Sequence, residues 1–139
     1  MSVNPLNTPT EAIEQKKLVQ WLRLKKIFHY ATTNENNSYK QDRKYAMIAE
    51  QKAKAQGKLK GVADITVLLP NKILFIELKK QGKVLKNGTV SHSNSTISPE
   101  QIAFLEKVNS FDYAEGRVCY GFEAAKKFIE ENINEKYKK

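Results

Sequence analysis

The chain has 139 residues, 40% hydrophobic and 28% charged, which suits one domain with one core rather than two. Its 24 Lys and Arg against 15 Asp and Glu give a net charge of +9 and a pI near 9.6, an excess that favours a polyanionic partner, first of all nucleic acid. Apolar runs such as Ile73 to Ile76 are far too short to cross a bilayer. The opening MSVNPLNTPTEAIEQ lacks the charged and then apolar pattern of a secretory leader. A lone cysteine, Cys119, cannot form an internal disulfide and fits a reducing cytoplasm. With only His29 and His92 beside it, it does not make a zinc ligand set.

Residues 1–9 read as a tail. Thr8 or Thr10 caps a first helix from about Glu11 to Lys26, with Pro9 near its first turn and Glu11 and Glu14 placed to suit the helix dipole. Ile27 to Thr33 reads as a strand, and a polar loop follows it. A second helix, about Asp42 to Gln56, is mostly polar and basic, with Gly57 as its stop. Two strands then share the segment GVADITVLLPNKILFIELKK, Gly61 to Lys80. Residues 81–97 form a long basic loop rich in Ser, Asn and Gly, flexible in character, with a short turn from Val84 to Val90 around Asn87-Gly88. Ser98 caps a helix that begins at Pro99, carries Gln101 at the capping-box position and ends near Asn109. Gly116 to Phe122 is a buried strand, and a final helix runs from Phe122 into the charged tail 134–139. The order αβ(α)ββαβα describes a single α/β domain, a sheet with helices on its faces.

The chemistry gathers in the hairpin. ITVLL and ILFI are apolar at every position, which requires cover on both faces and an interior place in the sheet. Yet Asp64 opens the first strand, and Glu77 and Lys79 close the second. Side chains alternate along a strand, so Glu77 and Lys79 share a face. A two-residue connection, Pro70-Asn71, sets Asp64 opposite Glu77; a four-residue loop sets it opposite Lys79. Either even length brings the three within about 5 to 8 Å on one face, whereas an odd length separates them. We take the even register. Two carboxylates so close repel, and Lys79 offsets part of this. A hard divalent cation, Mg²⁺ or Mn²⁺, satisfies both. Bound there, it would polarise a phosphate oxygen and acidify a water, with Lys79 to orient or deprotonate that water or to stabilise charge at phosphorus. Glu50-Gln51-Lys52 repeats the Glu-x-Lys pattern, but in a polar helical stretch where both residues are solvated. The competing view of Glu77 and Lys79 is a surface ion pair worth under about 1 kcal/mol.

The run Gly61-Val62-Ala63-Asp64, twelve intervening residues, then Glu77-Leu78-Lys79 resembles the PD-(D/E)XK nuclease superfamily, and more closely its VRR-NUC family. In that family a Gly-Val-Pro-Asp turn leads into a strand and Phe-Ile-Glu-Leu-Lys ends the next; here Ala63 replaces the proline and the metal ligand is kept. The resemblance spans about Glu11 to Ile129. It implies a restriction-endonuclease-like central mixed sheet flanked by helices, and a Mg²⁺- or Mn²⁺-dependent DNA endonuclease of the kind associated with branched DNA, repair and phages. It also implies an acidic residue in the first helix beside Asp64 and Glu77, matched best by Glu11, with Glu14 as the alternative. ISPEQIAFL is similar to the family's Ser-Pro-x-Gln segment and places Gln101 by the active site.

Around this centre Lys58, Lys60, Lys80, Lys83 and Lys86 are the candidates to contact phosphates, each of which could equally be a solvated cation. His92 and Asn34 are weak candidates, and Trp21, Tyr30 and Cys119 read as core. A single site cuts one strand at a time, so a homodimer is expected. The competing functions are a non-catalytic nucleic-acid-binding module and an interaction domain of a larger repair complex.

Overall fold

The computed structural model describes residues 9–32, 43–84, 87, 90–91 and 97–133. The elements in chain order are α1 (Glu11–Leu24), β1 (His29–Ala31), α2 (Arg43–Ala55), β2 (Ile65–Leu68), β3 (Ile73–Lys79), β4 (Lys83–Val84), β5 (Val90–Ser91), α3 (Pro99–Val108), β6 (Ala114–Tyr120) and α4 (Phe122–Asn132). The four-stranded sheet runs β1-β2-β3-β6 and is mixed: β1–β2 and β2–β3 are antiparallel, and β3–β6 is parallel. The α/β order expected from the sequence is found, with two short strands, β4 and β5, added between β3 and α3. Among the described residues no helix is long and apolar enough to cross a membrane.

The continuous apolar runs are explained by cover on both faces of the sheet. Ile65 and Val67 of β2, Leu74, Ile76 and Leu78 of β3, and Cys119 of β6 pack with Leu18 and Leu22 of α1 and with Ala125, Phe128 and Ile129 of α4. Burying each large aliphatic or aromatic side chain there contributes roughly 1.5–3 kcal/mol. Residues at the alternate positions face α3. Phe75 meets Phe104 edge to face at 5.4 Å, and Gly116 lies so close to Leu105 and Val108 that a Cβ there would fall 2.7 and 2.8 Å from their side chains. Trp21 is half-buried against the core, as its reading as a core residue implies, but Tyr30 is exposed on the edge strand β1.

Element ends depart from the sequence reading for local reasons. Thr10 caps α1 by accepting from Ile13 N at 3.2 Å, and the helix stops at Leu24, because Lys26 turns left-handed (φ 59) and closes the last turn. β1 is shorter than Ile27 to Thr33, with residue 33 outside the described residues. β6 runs two residues earlier than expected, since Ala114 already pairs with Ile73 and Gly121 (φ 97) leads at once into α4. Within the basic loop, Lys83 and Val84 pair with Ser91 and Val90 in a two-stranded ribbon, and Asn87 lies between its strands, whereas Gly88 lies outside the described residues. His92, Asn34, Lys86, the tail residues 1–8 and 134–139, and Thr8 lie outside the described residues.

Candidate metal-binding site

The hairpin closes through a two-residue connection. Leu69 N donates to Lys72 O at 2.8 Å and Lys72 N to Leu69 O at 3.4 Å, leaving Pro70 and Asn71 as the loop. Ile65 faces Ile76, so Asp64, one step further out, lies opposite Glu77. This is the tighter of the two even registers open from the sequence. Just before β2 begins, the Asp64 side chain extends the pairing: its Oδ2 accepts from Leu78 N at 2.8 Å.

Backbone on both sides secures Asp64. Thr32, just past β1, donates from its hydroxyl to Ala63 O at 2.8 Å and from its N–H to Asp64 O at 2.9 Å. Three residues earlier, Gly61 (φ 81) passes against the start of α3, and a Cβ there would lie 2.7 Å from Gln101 N with the Glu100 carbonyl nearer still. Only glycine fits both the conformation and the contact. Gly61→Ala should therefore destabilise the fold by at least about 2 kcal/mol and loosen Gln101, measurable by chemical denaturation; an unchanged unfolding midpoint would refute the packing.

Gln101 performs both duties read for it from the sequence. Its backbone N donates to Ser98 Oγ at 3.1 Å while its side-chain oxygen accepts from Ser98 N at 2.9 Å, completing the capping box. Its Nε2 then donates to Glu77 Oε1 at 2.5 Å. The cap holds the amide in one orientation, and the amide holds the carboxylate.

Glu77 is only 2% exposed, and its Oε2 has no hydrogen-bond partner among the described residues. Lys79, on the same face of β3, brings its Nζ to 3.8 Å from Glu77 Oε1 with its side chain 12% exposed. That is a long contact for the charge it must offset. Burial and the neighbouring Asp64 outweigh Lys79, and the Glu77 carboxyl is pushed up to about 7. The Asp64 carboxyl is raised as well, chiefly by burial, against the Leu78 N–H and Lys79, which favour its charged form. An orphaned carboxylate oxygen, a second carboxylate across the ladder and two raised acids suit a hard cation with oxygen ligands, so the donor set fits Mg²⁺ or Mn²⁺.

The two acids of α1 part ways. Glu14 is fully buried, and its Oε2 accepts from Phe122 N at 2.6 Å and Gln81 Nε2 at 3.2 Å. It thus caps α4, which has no side-chain cap of its own, and ties down the exit of β3. Glu11 is exposed one turn earlier, and its charge is felt at both Asp64 and Glu77, raising each. Among the described residues no three His, Cys, Asp or Glu side chains converge closely enough to hold a metal together, so Glu11 stands near the pair without completing a triad.

Of the basic candidates, Lys58 and Lys80 are exposed. Lys60 is exposed and ion-paired with Glu50, which raises its pKa. Lys83 lies on β4. Thr32, and Glu14 in its capping role, were missed from sequence because their partners are 31 and 108 positions away, and no local pattern announces such contacts.

No family model matches the sequence, and no curated protein does. Among solved structures, a VRR_NUC domain protein is similar over 89% of this chain and 88% of its own, with a TM-score of 0.62 and 17% sequence identity. At that identity the likeness is one of fold, and it bears out the restriction-endonuclease-like α/β architecture expected from the residues around Asp64 and Glu77.

Proposed function

We propose that the chain is a metal-dependent DNA endonuclease that hydrolyses phosphodiester bonds, with Asp64 and Glu77 holding Mg²⁺ or Mn²⁺. The observation that carries this reading is the buried, unpartnered oxygen of Glu77 across from Asp64, since a binding module has no use for an unrelieved carboxylate pair. When bound, the cation would polarise the phosphate and lower the pKa of a coordinated water. Gln101 fixes the Glu77 carboxylate, and the Leu78 N–H fixes that of Asp64. Lys79 places a cation on the face where the phosphate arrives and either orients the attacking water or stabilises charge at phosphorus. Glu11, exposed at the rim, is the acid available to approach a bound cation through water. Two convergent carboxylates suffice for magnesium, which commonly keeps several waters and takes one or two protein carboxylates.

The fold is shared with a VRR_NUC domain protein, and the chain's +9 charge suits a DNA substrate. Branched DNA, a four-way junction or a flap, is the substrate form we favour, and cutting both strands requires two copies of the chain. The test incubates the folded protein with labelled linear, flap and four-way DNA in Mg²⁺, Mn²⁺ or EDTA. Cutting is expected with either metal and not in EDTA. Intact DNA under every metal condition would leave a basic binding module as the better account.

A further inference from the structure

A site made of carboxylates repels the substrate assigned to it. Asp64, Glu77 and Glu11 all present negative charge where a phosphate must arrive, so the DNA must be held by cations beside the site. Residues 43–60, α2 and the turn after it, contain six Lys or Arg (Arg43, Lys44, Lys52, Lys54, Lys58 and Lys60) and one acid, Glu50. That net +5 is more than half of the chain's +9.

α2 has no buried residue, and Ala46 and Ala53 are its half-buried positions. The larger apolar side chains Tyr45, Met47 and Ile48 are all exposed. At about 100° per residue Tyr45 and Ile48 share one face, which Lys52 interrupts, and Met47 points to another side of the helix. They do not form the single apolar stripe that a bilayer surface or a protein groove requires. Cations likewise occur around the helix rather than opposite an apolar face. Such a surface suits a polyanion that contacts many cations and needs no continuous apolar seam.

The position agrees. α2 ends at the Gly57 stop, and three residues later Lys60 precedes Gly61, which packs on the start of α3. There Gln101 holds Glu77, and the Glu100 charge acts on Lys60. The basic segment therefore leads into the turn that delivers Asp64.

We propose that α2 and the turn following it are the docking site for the sugar-phosphate backbone of the substrate DNA, and that Glu50 occupies Lys60 in the free protein where a phosphate does in the complex. The proposal rests on the nuclease reading for the nature of the substrate, and DNA binding without metal tests it separately from cutting. Both partners of the Lys60–Glu50 pair are more than half exposed, so exchanging the carboxylate for a phosphate costs little.

The experiment measures binding of a fluorescent DNA duplex and a four-way junction in EDTA over a salt series. Arg43→Ala/Lys52→Ala/Lys54→Ala should weaken binding at least about tenfold and flatten the plot of log affinity against log salt by about 0.9 for each phosphate no longer neutralised. The charge-matched control Arg23→Ala/Lys25→Ala/Lys127→Ala, on exposed positions of α1, its cap and α4, should weaken it much less. Glu50→Gln should tighten binding severalfold, and more than Glu130→Gln does. Equal weakening in the two triple variants, or no tightening with Glu50→Gln, overturns the proposal while leaving the nuclease reading intact. Salt-dependent binding through α2 by a protein that cuts nothing supports the docking site and defeats the nuclease reading. Wild-type protein that binds anionic vesicles but no DNA overturns the proposal.

Discussion

Glu77→Ala and Lys79→Ala should each lower metal-dependent DNA cutting by roughly a hundred- to a thousandfold, the scale on which removal of one preorganised group acts on developing charge. DNA binding in EDTA should change little for Lys79→Ala, whose side chain is nearly buried, and should if anything tighten for Glu77→Ala, which removes a negative charge from the substrate's path. Lys80→Ala is the internal comparison. It neutralises the next residue, which is exposed, so it should cost binding modestly and the chemical step little. Gln101→Leu should fall between, because Glu77 keeps its place on β3 but loses the donor at 2.5 Å that orients it. Single-turnover rates at saturating protein separate binding from cutting. Near wild-type rates in either Glu77→Ala or Lys79→Ala would remove that residue from the chemistry and refute the site as assigned.

The part of this site that could be read from the sequence is the part governed by alternation. Asp64 and Glu77 meet because side chains alternate along strands and an even loop preserves the face. Pro70-Asn71 supplied that loop in its shorter form. Burial could be read for the same reason, since unbroken apolar runs require cover on both sides, which α1 with α4 and α3 provide. The resemblance around Gly61 to Asp64 and Glu77 to Lys79 identified the architecture, and the fold agrees. What could not be read depends on how helices dock. Gln101 faced a choice between capping α3 and reaching the site only on paper, because the capped geometry itself aims its amide at Glu77. Glu14 and Glu11 lie on nearly the same side of α1, and no periodicity tells which is committed elsewhere. Docking of α4 decides it, because the Phe122 N–H takes Glu14. Lys60 looked like a solvated cation because its partner, Glu50, belongs to a helix that packs almost nothing and so leaves little pattern in its composition.

The same carboxylates that would hold the cation should weaken the metal-free fold, and pH should expose this. A glutamate ordinarily titrates near 4.5, and Glu77 in the fold is raised to about 7. Between these values the native protein holds a proton that the unfolded chain has lost, so stability falls as pH rises through this window and levels off above it. For a gap of that size the difference is about 3 kcal/mol. Asp64, also raised, adds to it in the same direction, whereas the contribution of Glu115, lowered by Lys72 and Arg117 on a half-exposed surface, is lost only in stronger acid. Denaturant unfolding in EDTA should accordingly show a more stable protein at pH 6 than at pH 8. Glu77→Gln should flatten that difference, since an amide carries no proton to lose, even though it still accepts from Gln101. Mn²⁺ should restore the wild-type protein at pH 8, with stability climbing as the logarithm of metal concentration once the site fills. Below about pH 7 the metal should release protons on binding, because Glu77 must ionise to take it. Neither response should survive in Asp64→Asn/Glu77→Gln. Stability that climbs from pH 6 to pH 8 without metal would mean the two acids are relieved within the fold itself, and no cation would then be needed to explain why Glu77 is buried with one oxygen unpartnered.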